Sequence, residues 1–410
     1  MLNRDAYLSA FERFGTELPA PERAQRSAAL QRFFESGLPS ADIEEWKYTD
    51  FSRLAGEAVT LAAPAAAPDL SDWRIADAQA RIWLNGRSTH PCARPAPPAG
   101  EAGDSAHPGL AALNAAFALP GLDLALAAGE NLERPLQALF VTRPQTDGAM
   151  THLHHRIRLG ENARATVLLH DLGLGDARRW VTQTLDIELA ANAALRLIRV
   201  QDESPGTRGW FQGTARLHAG AQFDAVQIDF GGGFVRNDWR IRLLAPGAGT
   251  SLHGLFAPTG RTHVDNHTVI DHLAPRCTSR ESFRGLAWER ARAVFNGRIV
   301  VHPGAQKTDS EQRLANLLLS KQAEINAKPE LEIHADDVKC AHGATFGRLD
   351  PGALFYLRTR GVPEEAARAL LTYSFADEIL RHIEWPALRK QVTARFLARM
   401  GGGIDAGELV

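Results

Sequence analysis

The chain has 410 residues, which is enough for two or three domains or for one elongated repeat domain with flanking segments. Its formal net charge of -2 gives no electrostatic reason to expect nucleic acid or an anionic membrane as a principal partner. No run approaches about 18 uninterrupted apolar residues, and charged side chains interrupt the first fifteen positions, which argues against a membrane span and a secretory signal. We therefore expect a cytoplasmic protein.

The three cysteines are Cys92, Cys277 and Cys340. They are too far apart in sequence for a disulfide framework or for the paired thiolates of a structural zinc site. This cysteine usage fits a reducing compartment.

The N-terminal segment shows helical periodicity. Apolar residues recur at helical spacing over 6–34, with a break at Leu18-Pro19-Ala20-Pro21, so we predict two short helices. Two stretches rich in alanine and proline, 61–69 and 91–108, are predicted to be linkers or exposed loops. Residues 1–135 are thus predicted to form a helical and irregular region.

From residue 136 the pattern changes to short alternating runs, for example 195–200 and 223–228, which are typical of strands. A turn of the form Leu-x-x-x-Ala recurs with its alanines at 163, 193, 221 and 248, at nearly equal intervals. A related turn ends at Ala305, which follows Ala248 by close to two such intervals. Each interval is about 30 residues, within the range of about 20–50 that is typical of structural repeats.

The repeats contain no helical segment and no propeller-blade motif. We therefore predict that 136–356 forms a parallel β-helix core with one or two turns per interval, with a β-sandwich as the alternative. The fold class is mainly β, with α-helical regions at both ends.

Residues 357–410 are predicted to form a helical domain. Pro363 lies at a helix start followed by two glutamates, and the helix is predicted to end before Trp385-Pro386, where a second one begins. Gly401-Gly402-Gly403 closes the second helix. The apolar stripes of both helices either pack on the protein's own core or dock a partner.

Histidines are concentrated in the last forty per cent of the chain, which raises the possibility of a metal site; they are His253, His263, His267, His272, His302, His334 and His342. For each of them we favour a surface or hydrogen-bonded role. His152 and His154 share one face of a predicted strand, and we favour an exposed polar face over a metal clamp.

No nucleophile in a strained elbow accompanies Asp265-Asn266-His267 or Asp271-His272, so we predict no catalytic triad. Gly231-Gly232-Gly233 lacks the lysine and the following helix of a phosphate loop. We interpret it as a flexible β-turn and expect no ATP binding by this chain.

The segment Lys339-Cys340-Ala341-His342 presents a thiol and an imidazole on the same face of an extended strand. Both groups are suitable ligands for iron, zinc or a nascent iron–sulfur cluster. Two ligands are half of a closed site, so distant residues or a second protein must complete it. The alternative is a buried thiol beside a structural histidine.

These residues belong to a wider set of segments that resembles the SufB/SufD family of the SUF iron–sulfur assembly system, and the SufD branch within it. The segments are EWKYT at 45–49, HVDNHT at 263–268, SFRG at 282–285, NLLLS at 316–320, KPELEI at 328–333, DDVKCAHGAT at 336–345 and FYLRTRG at 355–361. They span nearly the whole chain, although the linkers match little.

The resemblance implies a right-handed parallel β-helix and a complex with a SufB-like paralogue and a SufC-like ABC ATPase. It places His342 and Cys340 at the paralogue interface, beside a transient iron–sulfur cluster, with His342 as the stronger candidate. It also implies that the C-terminal helices dock the ATPase, and the candidate residues are Pro363, Leu370, Leu371, Tyr373, Phe375 and Ile379.

The function expected from this resemblance is a non-enzymatic scaffold with no catalytic residue. We expect no firmly bound metal or cofactor in the isolated chain, which could also form a homodimer. One alternative is a β-helix enzyme acting on polysaccharide, which should be secreted and should carry aligned acidic residues. Another is a metal-storing or metal-sensing protein that uses the histidine-rich half.

Overall fold

The protein is described by a computed structural model that covers residues 2–90 and 105–400. Cys92, most of the loop predicted at 91–108 and the glycine run 401–403 lie outside the described residues.

Two long sheets form the core. Sheet A contains β1 (Thr60–Leu61), β4 (Leu119–Leu126), β6 (Ala149–Leu159), β8 (Arg179–Leu189), β10 (Thr207–Leu217), β12 (Phe234–Leu243), β14 (His263–His272), β16 (Arg292–Val301) and β18 (Glu324–Ile333). Sheet B contains β2 (Gln79–Leu84), β3 (Arg87–Ser88), β5 (Leu136–Thr142), β7 (Arg164–Gly173), β9 (Ala194–Asp202), β11 (Gln222–Asp229), β13 (Gly249–Phe256), β15 (Thr278–Ala287), β17 (Asp309–Leu318) and β19 (Lys339–Gly347).

From β6 onward the chain passes alternately between the two sheets, and each strand pairs in parallel with the strand two places further along the chain. One turn of the solenoid therefore takes one repeat interval and contributes one strand to each sheet. The prediction of a mainly β protein with a parallel β-helix core and helical flanks is confirmed, and the β-sandwich alternative is wrong. Strands also occur within 1–135, where β2 and β4 extend the two sheets.

The recurrent alanines lie where the chain passes from sheet A to sheet B, and the side chains of Ala163, Ala193, Ala221, Ala248 and Ala305 are fully buried. The residue before the alanine has a left-handed backbone at Asn162 (φ 59°) and at Gly247 (φ 77°). Asparagine and glycine adopt this conformation with little strain.

The double interval between Ala248 and Ala305 contains one further turn of this type, with Cys277 in the alanine position. Cys277 lies about midway between the two alanines, as a repeat of constant length requires, and it is fully buried. Arg276, the residue before it, has the same left-handed backbone, with φ 59°. Cys277 therefore packs inside the solenoid as a small apolar residue.

Within residues 2–90 and 105–400, six helices flank the solenoid, together with three short 3-10 segments. The helices are α1 (Arg4–Gly15), α2 (Ala20–Ser36), α3 (Pro108–Phe117), α4 (Pro351–Thr359), α5 (Glu364–Leu380) and α6 (Pro386–Met400), and the 3-10 segments are Glu44–Trp46, Phe51–Leu54 and Ser71–Trp73. None of the helices in the described ranges is long and apolar enough to cross a bilayer.

The helices cover opposite outer faces of the solenoid. Helices α1 to α3 share an apolar cluster with Met150, Trp180 and Trp210 of sheet A. Helices α5 and α6 share another with residues of sheet B, including Ile198 and Leu255. A third apolar cluster fills the space between the two sheets.

The two N-terminal helices and the two last helices agree with the predictions, and α5 begins at Glu364, directly after Pro363. Helices α3 and α4 were not predicted. The signal for α4 is its cap: the Asp350 carboxylate accepts hydrogen bonds from the backbone N–H groups of Gly352 (2.9 Å) and Ala353 (3.3 Å), and Pro351 follows as the first helical residue.

Candidate functional site

The C-terminal end of the solenoid is open. Among the described residues, β18 is the last strand of sheet A and β19 the last of sheet B, so each pairs with a neighbour on one side only. Large apolar side chains are exposed there, with Ile333 at 42% and Phe346 at 52% of their full surface. An unpaired strand edge with exposed apolar residues is a site at which another sheet can add.

Cys340 and His342 lie on β19 at this open end. In the register of the sheet Cys340 is opposite Ser310 and His342 is opposite Gln312, both of which are buried inside the solenoid. The two side chains therefore share the interior face of β19, as the strand periodicity predicts. Cys340 is partly buried against the interior core, whereas His342 is exposed and has no hydrogen-bond partner among the described residues.

The Cys340 thiol keeps its proton in the isolated chain. Burial raises its pKa above the usual value, and the nearby Asp309 carboxylate acts in the same direction. Ionisation must therefore be coupled to the arrival of a metal or another electrophilic group.

Beneath His342 lies a polar pair inside the solenoid. The Gln312 side-chain amide donates a hydrogen bond to the Glu281 carboxyl group. Glu281 is 2% exposed, and burial raises its pKa to about 7. Among the described residues, Gln312 Oε1 has no hydrogen-bond partner.

A second polar row leads to Cys340. His272 Nε2 lies 2.9 Å from Ser279 Oγ, which lies 2.8 Å from Ser310 Oγ, and Ser310 is the neighbour of Cys340 in the sheet. Burial lowers the pKa of His272 to about 4, so its imidazole is neutral.

Sequence reasoning missed these residues, although the repeat could have found them. Glu281, Gln312 and His342 follow one another at one repeat interval each, and so do Ser279, Ser310 and Cys340. In a solenoid with turns of this length such residues stack in a column, about 4.8 Å apart from strand to strand.

The described ranges contain no group of three or more His, Cys, Asp or Glu side chains that could hold a metal ion. The donor set at the open end is therefore the thiol and the imidazole that the sequence predicted. A thiolate and an imidazole are chemically suitable ligands for an iron–sulfur cluster, but two donors are only half of a closed site.

His152 and His154 occupy neither an exposed face nor a metal clamp. They are 1% and 4% exposed, so the prediction of an exposed polar face is wrong. Their Nδ1 atoms lie 2.7 Å from Thr182 Oγ1 and 2.8 Å from Thr184 Oγ1, respectively. Helix α3, which was not predicted, packs against β6 and β8, and its Phe117 ring stacks on the His152 ring at 5.6 Å between centroids.

The EWKYT and HVDNHT segments contact each other. Thr49 Oγ1 donates to Asp265 Oδ2 at 2.5 Å and lies 2.8 Å from His263 Nε2, and all three residues are buried. The Arg236 guanidinium stacks 3.6 Å from the centre of the Trp46 ring. This arrangement fixes the N-terminal region on sheet A.

The three glycines at 231–233 form a tightly packed turn, so the prediction of a flexible turn is wrong. A Cβ atom at Gly231 would collide with the carbonyl oxygen of Glu203, and one at Gly233 with that of Pro205. Gly232 has φ 84°, a conformation that favours glycine.

The residues predicted to dock an ATPase lie on or beside α5. Tyr373 and Ile379 are buried against sheet B at 8% and 0% exposure. Leu370, Leu371 and Phe375 are half-buried, and Pro363 is exposed. Phe355 and Tyr356 of α4 are exposed as well, at 68% and 57%.

The family model of the SUF system FeS cluster assembly SufBD core domain matches residues 140–375. The chain is also 31% identical to the iron-sulfur cluster assembly protein SufD of Escherichia coli (strain K12), over 96% of this chain and 96% of that protein. The chain belongs to the SufBD family. The SufBD-family protein SufD of Bacillus subtilis (strain 168) is 26% identical over 70% of this chain and 65% of its own length. The predicted family resemblance is thereby confirmed.

Proposed function

We propose that this chain is a non-enzymatic scaffold subunit of a SUF assembly complex, on which nascent iron–sulfur clusters are built. The observation that carries the proposal is the placement of His342 and Cys340 on the interior face of the unpaired terminal strand. The relatives named as iron-sulfur cluster assembly proteins support the same role.

The partner at the open end is a SufB-like paralogue. A second parallel solenoid presents strand edges of the same spacing, so its terminal strands can continue the ladders of β18 and β19 while covering Ile333 and Phe346. His342 is then enclosed between the two chains. The paralogue supplies the cluster ligands that this chain lacks.

At the assembled interface, each group of this chain has one task. His342 coordinates iron through a neutral imidazole, and its exposed position leaves it accessible to a partner. Burial disfavours the free thiolate, so the Cys340 thiol is protonated before iron arrives. Binding of iron to the sulfur then releases the proton. The cluster is cargo, assembled here and passed on.

The second partner is a SufC-like ABC ATPase docked on the C-terminal helices. Pro363, Leu371 and Phe375 are accessible enough to contact it, and the exposed aromatic residues of α4 extend the same surface. Tyr373 and Ile379 act indirectly by holding α5 on sheet B. Movement of the ATPase is thereby transmitted to the solenoid.

The polysaccharide-enzyme alternative is not favoured. The relatives carry assembly names, and Glu203 and Glu281, the two carboxyl groups whose pKa burial raises to about 7, are buried within the solenoid, where a sugar chain cannot reach them.

Copurification tests the proposal. The tagged chain, expressed in its own cells, should retrieve both a β-helical paralogue and an ABC ATPase. Phe346→Asp should abolish recovery of the paralogue and leave the ATPase bound, because burial of an unpaired charge at the interface is costly. Tyr48→Asp, at a residue 45% exposed on the N-terminal region, is the matched control and should lose neither partner. Recovery of neither partner with the unmodified chain would refute the proposal.

A further inference from the structure

A cleft of about 400 Å³ lies on the side of the solenoid, away from the open end. One wall is the 3-10 segment Phe51–Leu54, and the other is formed by the loops that lead into β10, β12 and β14. Its size is within the range of about 300–1,000 Å³ that is typical of small-molecule sites.

Three arginines from three separate segments line this cleft: Arg53, Arg208 and Arg261. The only carboxylate in the lining is Asp50, which pairs with Arg53 Nε at 3.1 Å. The lining therefore carries a formal charge of +2, from three arginines and one aspartate.

Arg208 and Arg261 have no carboxylate partner among the described residues, in contrast to buried arginines such as Arg236. The Arg208 guanidinium makes one hydrogen bond, from Nη1 to the carbonyl oxygen of Gly206 at 3.2 Å. Most of its N–H groups are therefore available to a ligand.

The remaining walls of the cleft are rigid. A Cβ atom at Gly233 would lie 3.1 Å from Arg208 Nη1 and would collide with the carbonyl oxygen of Pro205, so glycine is required for this close wall. The half-buried Phe234 ring stacks on His263 at 4.9 Å between centroids and meets Phe51 edge-on at 5.0 Å. These contacts hold Phe234 as an apolar surface beside the arginines.

We propose that this cleft binds a phosphorylated small molecule that carries a diphosphate group. Planar guanidinium groups bind phosphate oxygens in a bidentate manner, and three of them with a net charge of +2 fit a ligand with several negative charges. The Phe234 ring lies where an attached ring or apolar group can pack. The site belongs to the turns of β10 to β14 and does not depend on the function of β19.

Isothermal titration of the full-length chain with inorganic pyrophosphate, and separately with ADP, tests the site. Both probes should bind saturably at one site per chain, and affinity should fall as salt is raised. Equal affinities would show that the diphosphate alone is recognised, and tighter binding of ADP would show that the attached group contributes as well.

The variants Arg208→Gln and Arg261→Gln should each weaken binding of pyrophosphate about tenfold or more, because each removes charge-assisted hydrogen bonds. The control is Arg178→Gln, an exposed arginine in the loop before β8 that pairs with Asp147 outside the cleft; it should bind as the unmodified chain does. Arg261 is exposed, so its replacement should leave the melting temperature unchanged. The proposal would be overturned if neither probe bound saturably at concentrations up to ~1 mM, where a Kd corresponds to a binding free energy of about -4 kcal/mol. It would also be overturned if both cleft variants bound pyrophosphate as tightly as the unmodified chain.

Discussion

The middle and the end of the solenoid share one backbone repeat but differ in what the repeat buries. One column of paired residues inside sheet B reads Leu197, Ala225, Leu252, Glu281, Gln312 and His342 from the middle to the open end. The neighbouring column reads Leu195, Phe223, Thr250, Ser279, Ser310 and Cys340. Both columns change from apolar to polar toward the same end.

This difference separates two tasks. In the middle turns the columns contribute apolar burial, which stabilises the fold. In the last turns they present hydrogen-bonding groups, a thiol and an imidazole, and within the part of the chain that the structure describes no strand follows β19 in sheet B. The side chains of the last turn are therefore accessible to a second chain.

The largest expected effect lies in the middle column. Leu252→Ala should lower the free energy of unfolding by about 2–5 kcal/mol, because it leaves a cavity at a fully buried site. His342→Ala, in the same column at the open end, should change it by less than about 0.5 kcal/mol, since the side chain is exposed. Urea denaturation of both variants checks this contrast, and equal losses would contradict it.

The next effect concerns the Glu281 carboxyl group, whose pKa is about 7 in the folded chain against a usual value of 4.5. Between these pH values the folded state holds a proton that the unfolded state has released, so the free energy of unfolding decreases as pH rises through this window. Glu281→Gln removes the ionisation. It should stabilise the protein at pH 8 by an amount on the order of 3 kcal/mol and have little effect at pH 5.

Urea denaturation at the two pH values measures this difference. The control is Glu161→Gln, at an exposed position in the turn between β6 and β7, which should leave stability unchanged at both. A Glu281→Gln variant with the same pH dependence as the unmodified chain would show that the carboxyl group is already ionised when buried.

The two cysteines of the described chain should differ in reactivity. In a Cys92→Ser background, iodoacetamide should alkylate Cys340 under native conditions and leave Cys277 unmodified, because Cys277 is fully buried and Cys340 is partly accessible. Mass spectrometry of the labelled peptides measures the two sites. Labelling of Cys277 at a similar rate would mean that the middle turns open as readily as the end.

Among the variants inside the solenoid, a small effect is expected for Cys277→Ala, because alanine occupies the same position in the neighbouring turns at Ala248 and Ala305. The melting temperature should change by only a few degrees, equivalent to about 1 kcal/mol or less. Cys277→Ser should be tolerated nearly as well, since the carbonyl oxygen of Ala245, 3.4 Å from Sγ of Cys277, can accept a hydrogen bond from the hydroxyl group.

The sequence predicted the elements whose signal is periodic. The Leu-x-x-x-Ala turns revealed the solenoid because each buries a small residue next to a residue with a left-handed backbone. The interval between Ala248 and Ala305 was twice the usual length only because Cys277 replaces the alanine of the turn between them. The same-face placement of Cys340 and His342 followed from strand geometry alone.

What the sequence did not predict depends on contacts between distant segments. The burial of His152 follows from α3, a short helix that begins only at the end of the predicted 91–108 loop and places Phe117 on the imidazole ring. The Glu281–Gln312 pair forms between adjacent turns that are one repeat interval apart in sequence, so it appears only when the register is known. The roles of His342 and of the α5 surface stay predictions, because each requires a second chain.

The most direct test of the account is the iron and acid-labile sulfide content of the assembled complex containing His342→Ala, compared with His334→Ala. Both histidines are exposed near the open end, but only His342 lies on the interior face of β19. We predict that His342→Ala retains both partners and loses most of its cluster, whereas His334→Ala keeps it. Equal cluster content in the two complexes would contradict the assignment of the open end as the assembly site.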